Sequence, residues 1–292
     1  MTAAALLDPA FVRELEALRR RLEIRARSGM GGEHMAKRRG GSAEFHEHRP
    51  YTAGDDLRRI DWAAYARSGE PVVKVFRAEE DVVARLLCDT SSSLEFGEPP
   101  KIELAKRIAA AIGYMTLADA ERAQVIATAG GATREKPPAR GRGGLPALLR
   151  HLDGLPIGGR TDLASAVDAV LQKSARPGML VVLSDFFDPG PVLSALRRAV
   201  MAGHDVVLVQ VLAVEEVDPT YEGDWTLEDA ETGDLVELTM DPASLEAYVL
   251  RFAGLCEELR AFARKHGAAY VRARNDEPLE AAVRRIVARS VD

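Results

Sequence analysis

The sequence has little of several things that would assign it to a familiar class. It holds two cysteines in 292 residues, Cys88 and Cys256, too few for a disulfide framework, which points to a reducing compartment. No apolar run approaches the ~18 residues that a membrane span needs. The opening stretch MTAAALLDPAFVRELEALRRRLEIRARSG has no basic region ahead of an apolar core, so it does not read as a signal peptide. These absences predict a soluble, cytoplasmic chain with no membrane segment. Basic residues are also short: 39 Lys and Arg against 45 Asp and Glu leave a net charge of −6, which argues against nucleic-acid binding.

Catalytic signatures are missing as well. The sequence contains no Gly-rich phosphate loop of the Walker type, so any ATP hydrolysis belongs to a partner. It contains no Gly-x-Ser-x-Gly elbow for a serine hydrolase. A phosphatase of the haloacid-dehalogenase kind would need aspartate at position 91, where serine stands. A metal-dependent hydrolase remains the main enzymatic alternative, and a scaffold with a vestigial site a third; the reading taken here is that the protein is not an enzyme.

What the sequence does contain is a regular alternation from residue 81 onward. DVVARLLCD, AQVIATA, GMLVVLSD, HDVVLVQVLA and AAYVRA are apolar runs of strand length, as expected for strands buried on both faces. Between them lie helical patterns at 101–120, 143–154, 161–175, 191–203, 243–266 and 278–289. The pattern predicts an α/β fold with a mostly parallel sheet and helices on both faces. Residues 81–292 would form this domain, and Cys88, inside the first run, reads as an inert buried thiol.

The stretch 213–241 interrupts the alternation with 11 acidic residues and no Lys or Arg. It reads as a solvated hairpin turning around Glu231, Thr232, Gly233 and Asp234, with docking to a basic partner as the sharper alternative. Residues 1–80 are grouped as a separate N-terminal piece. There Asp8-Pro9 starts a helix with a Phe11, Leu15, Leu18 and Leu22 stripe. A polar lobe of short strands and turns follows, with PVVKVF its clearest strand. In it, Asp55, Asp56, Arg58 and Asp61 are expected to form an ion-pair network. His34, His46 and His48 read as surface histidines, and Lys37-Arg38-Arg39 as a solvated turn.

The chemistry concentrates at ARLLCDTSSSLEFG. Asp89 ends a buried strand, and ligands of open parallel sheets bind outside such carboxyl ends. Ser91 and Ser93 follow in the loop. Asp185 ends another strand, and Thr161 begins the helix before it, where it could also act as the cap. Two carboxylates and three hydroxyls are hard oxygen donors of the kind Mg²⁺ takes. The bland alternative for Asp89, Ser91 and Ser93 is a capped loop entering a helix.

Asp89-x-Ser91-x-Ser93 with Thr161 and Asp185 resembles the metal-ion-dependent adhesion site of von Willebrand factor A domains. RPYTAGDDLRRIDWAAYARSGEPVVKVF (49–76) resembles the signature of the family called domain of unknown function fifty-eight, carried here by Arg49, Tyr51, Gly54, Asp55, Asp56, Arg58, Asp61, Trp62 and Arg67. The resemblance covers residues 30 to 275 or so, and it implies a von Willebrand factor A-like core. It further implies that Ser91, Ser93 and Thr161 ligate Mg²⁺ or Mn²⁺ directly, with Asp89 and Asp185 acting mainly through water. A partner carboxylate would complete the shell. The implied partner is a MoxR-type AAA+ ATPase, with other von Willebrand factor A-like proteins as further partners, and the implied role is that of an adaptor or co-chaperone.

Overall fold

A computed structural model describes residues 6–28, 44–52, 55–77, 83–129, 132–174 and 176–289. The chain divides into two compact units, Met1–Glu23 with Val82–Asp292, and Ile24–Asp81. Helix α1 (Pro9–Ser28) opens as its cap predicts, with the Ala10 N–H donating to the Asp8 carboxylate at 2.8 Å. Its Phe11, Leu15 and Leu18 are buried in the core of the first unit. The sequence reading groups this helix with the polar lobe; the buried stripe instead joins it to the α/β unit.

The smaller unit pairs β1 (Glu44–Pro50) with β2 (Val72–Arg77) antiparallel. Between them come a 3-10 turn at Leu57–Arg59 and helix α2 (Trp62–Ser68). Strands and turns alone were expected, so α2 is a correction. Its cause is local: Asp61 accepts from the Ala63 and Ala64 N–H groups at 3.1 and 3.0 Å, and Gly69 at φ 73° ends the helix.

Among the described residues, three of the acidic groups expected in the ion-pair network take close partners. Arg49 pairs with Asp55 at 2.7 Å, Asp56 accepts the Arg58 N–H at 3.0 Å, and Asp61 also meets His48 at 3.0 Å. The Thr52 N–H, and next the Arg49 guanidinium, hold the Asp55 carboxyl down at about 2. The Tyr51 N–H bonds the Pro71 carbonyl, while Trp62 and Arg67 are exposed. Gly54, His34, Lys37, Arg38 and Arg39 lie outside the described residues, as does the side chain of His46.

In the larger unit the apolar runs become β3 (Val83–Asp89), β4 (Arg122–Ala129), β7 (Met179–Ser184), β8 (Asp205–Leu212) and β11 (Ala269–Arg274). All pair in parallel, in the order β11-β8-β7-β3-β4. Two short antiparallel pieces, β5 (Ala132–Glu135) and β6 (Ala139–Arg140), lie against β4. Sequence reading misses both, since the exposed ATRE carries no apolar pattern.

Successive side chains alternate between the two faces, as the strand period requires. Leu86 and Cys88 point into one core, with α1, α3 (Lys101–Ala118), α4 (Leu145–Asp153) and α9 (Leu279–Ala288). Leu87 points into the other, with α5 (Leu163–Lys173), α6 (Pro189–Met201) and α8 (Pro242–His266). Burial pushes the Cys88 thiol up to about 12, in keeping with an inert core residue.

The acidic insertion forms a helical turn α7 (Val214–Val217) and an antiparallel hairpin of β9 (Gly223–Glu228) and β10 (Leu235–Met240). Among the described residues, no helix is long and apolar enough to cross a membrane.

Candidate metal centre

The chain leaves β3 through α3 to β4 on one side, then returns to β7 on the other side of β3. That reversal opens a crevice between the carboxyl ends of β3 and β7, where open α/β sheets bind ligands. Asp89 and Asp185 stand at these two ends, and both are buried.

Asp89 is the hub. Its Oδ1 accepts the Ser91 N–H at 3.0 Å, and its Oδ2 accepts the Ser184 hydroxyl at 2.7 Å and the Thr161 hydroxyl at 3.1 Å. The Ser91 and Ser93 hydroxyls lie 3.1 Å apart. Thr161 reaches this edge because its loop is tied to the Asp89 loop by backbone bonds: Gly158 N–H to Thr90 O at 2.9 Å, and Ser92 N–H to Gly159 O at 3.1 Å. Gly158 and Gly159 take φ of 134° and 74°, a backbone that favours glycine. The helix cap expected of Thr161 falls instead to Asp162, which accepts the Ser165 N–H at 3.1 Å. Asp188, three residues past Asp185, is the N-cap of α6.

Asp185 meets a partner that sequence reasoning did not anticipate. Lys101, the first residue of α3, is 1% exposed and donates to Asp185 Oδ2 at 2.8 Å and to Glu216 Oε1 at 2.5 Å. Its ammonium also lies 5.4 Å from the Phe187 ring centroid. Lysine in a first helical turn opposes the helix dipole, and that oddity was the signal available in the sequence. Ser184 was hidden inside an apolar run. Glu231, on the hairpin turn, accepts the Thr161 N–H at 3.3 Å, and nothing in the acidic segment distinguishes it from its neighbours.

The electrostatics leave the site short of positive charge. Asp89, Asp185, Glu216 and Glu231 are four carboxylates against the one ammonium of Lys101, a formal excess of three negative charges when all are ionised. Burial, and next the Asp185 charge, push the Asp89 carboxyl above its ordinary range. Burial also raises Glu231, with Asp89 and Asp185 adding repulsion and the Thr161 N–H and Ser91 hydroxyl opposing it. Burial raises Glu216, against the pull of Lys101.

The donors fit a small hard cation. Two adjacent ligands at ~2.1 Å and a right angle are about 3.0 Å apart, the edge of an Mg²⁺ octahedron. The Ser91–Ser93 oxygen pair, 3.1 Å apart, matches that edge, while the Thr161 hydroxyl is held beside it by its hydrogen bond to Asp89. Among the described residues no group of three or more His, Cys, Asp and Glu side chains is arranged to hold a metal alone, so an ion here depends on the hydroxyls and on water.

Comparison with known proteins gives a family and some neighbours. A family model described as "Protein of unknown function DUF58" matches residues 47–253. An uncharacterized protein from Mycobacterium bovis is 32% identical over 286 residues, spanning 96% of this chain and 90% of its own. Among solved structures, a conserved hypothetical protein, BatB from Bacteroides thetaiotaomicron, is 16% identical with a TM-score of 0.45, covering 70% of this chain and 97% of that one. The VWA domain of SpRpn10 is 9% identical with a TM-score of 0.41, covering 69% and 93%.

Proposed function

This chain belongs to the family described as Protein of unknown function DUF58, and on that premise we propose that it is a metal-dependent protein-binding module rather than an enzyme. Asp89, Ser91, Ser93, Thr161 and Asp185 would hold Mg²⁺ or Mn²⁺ at the carboxyl edge of the sheet. The ion would supply an electrophilic seat for a carboxylate presented by a partner protein. Ser91, Ser93 and Thr161 are neutral donors, so they leave the ion's charge largely available to that ligand. Asp89 orients the Thr161 and Ser184 hydroxyls and the Ser91 amide. Lys101 occupies one oxygen of Asp185, which leaves the other to take part in the site.

The observation that supports this reading is the meeting of three distant segments, at 89–93, 161 and 184–185, around the buried Asp89 and Asp185 carboxylates. The partner proposed is a MoxR-type AAA+ ATPase, with other von Willebrand factor A-like proteins as further partners and a cytoplasmic setting. The role is that of an adaptor or co-chaperone.

A pull-down of the purified ATPase by the full chain tests it. The ATPase is expected to be retained with Mg²⁺, and lost on adding a chelator or on Asp89→Ala. Equal retention in all three conditions would show that docking does not pass through an ion.

A further inference from the structure

The hairpin β9–β10 stands clear of the rest of its unit along most of its length. Every residue of β9 and Leu235–Thr239 of β10 are exposed, including Trp225, Leu227 and Val236. A lone two-stranded hairpin is marginally stable in water. Its turn is well built all the same. Asp229 accepts the Glu231 and Thr232 N–H groups at 2.8 and 3.0 Å, Asp234 O accepts the Asp229 N–H at 2.8 Å, and Gly233 takes φ 75°.

That turn aims one side chain into the crevice. Glu231 Oε1 accepts the Thr161 N–H at 3.3 Å, next to the Thr161 hydroxyl that binds Asp89 at 3.1 Å. Eleven acidic residues occupy 213–241, yet Glu231 is the one brought to the hydroxyl cluster.

The geometry points to Glu231 as the site's own carboxylate ligand: it fills the seat proposed above for a partner carboxylate and straps the hairpin over the site until a partner displaces it. The strap rests on the metal-site reading, because an ion is what makes the crevice a carboxylate seat. Without one, Asp89 and Asp185 repel Glu231, against the pull of the Thr161 N–H at 3.3 Å and the Ser91 hydroxyl. A divalent cation seated on the hydroxyls would offset that repulsion and attract the Glu231 carboxylate. Metal binding and hairpin closure should therefore be linked.

Two readouts on the full chain separate the strap from the site beneath it: Mg²⁺ affinity by calorimetry, and amide exchange across 223–240 by mass spectrometry. In the wild type, Mg²⁺ should slow exchange across the hairpin by about tenfold. In Glu231→Gln that slowing should vanish and Mg²⁺ affinity should fall by about tenfold, the loss of roughly 1.4 kcal/mol, while binding stays measurable. Glu231→Asp keeps the charge but shortens the reach, so it should behave like Glu231→Gln. Glu237→Gln, on an exposed hairpin position, should leave both readouts unchanged. If Mg²⁺ binds the wild type and Glu231→Gln equally and hairpin exchange ignores it, the strap is wrong and the metal site stands. If Mg²⁺ gives no heat with the wild type, both fall together.

Discussion

Lys101→Met is expected to destabilise the protein by roughly 3–5 kcal/mol, the cost of removing one partner from a buried ionic cluster. Lys101 sits between Asp185 and Glu216 at 2.8 and 2.5 Å and is 1% exposed. Methionine fills a similar volume and keeps the packing on Phe96 and Phe187, so the loss isolates the charge. Two carboxylates would remain in a low-dielectric pocket beside Asp89, with their nearest compensating ammonium gone. Adding Glu216→Gln should recover part of the loss, since one of the stranded charges disappears. Urea unfolding at neutral pH in chelator reads both variants. An unchanged midpoint for Lys101→Met would mean that the Lys101 cluster contributes little to the fold.

Asp89→Asn should separate stability from function. Burial and the neighbouring Asp185 already work against an ionised Asp89, so the metal-free variant should be at least as stable as the wild type. Asparagine can still accept the Ser91 N–H, and the Ser184 and Thr161 hydroxyls can turn from donors into acceptors for its amide. The divalent cation reverses the ranking. At about 100 times its dissociation constant, Mg²⁺ should stabilise the wild type by about 2.7 kcal/mol and leave Asp89→Asn unmoved. Thermal unfolding with Mg²⁺ and with chelator gives all four values. A metal-free Asp89→Asn much weaker than the wild type would recast Asp89 as a structural hub whose charge the fold requires.

The α/β architecture was readable because its strands are continuous apolar runs and its helices carry periodic stripes. Val83–Asp89 and Met179–Ser184 lie within a residue or two of where DVVARLLCD and GMLVVLSD place them. The lobe was harder. Helix α2 has no buried residue and depends on the Asp61 cap, so hydrophobic period gave no sign of it.

In the site, Asp89, Ser91 and Ser93 were visible as a spaced motif, and Thr161 and Asp185 by their places ahead of and at a strand end. The residues that were missed act across long sequence separations. Lys101 reaches Asp185 over 84 positions, and Glu231 reaches Thr161 over 70. Such pairings follow from tertiary packing, which no local pattern encodes. Thr161 shows the same limit on a smaller scale: one residue decides between cap and site, and Asp162 took the cap.

Titrating Mg²⁺, then Mn²⁺, into the purified chain in a calorimeter reads the proposed metal site directly. One site per chain is predicted, abolished by Asp89→Asn and weakened by Thr161→Ala. No heat from either ion at millimolar concentration, or the same binding in all three proteins, would contradict it.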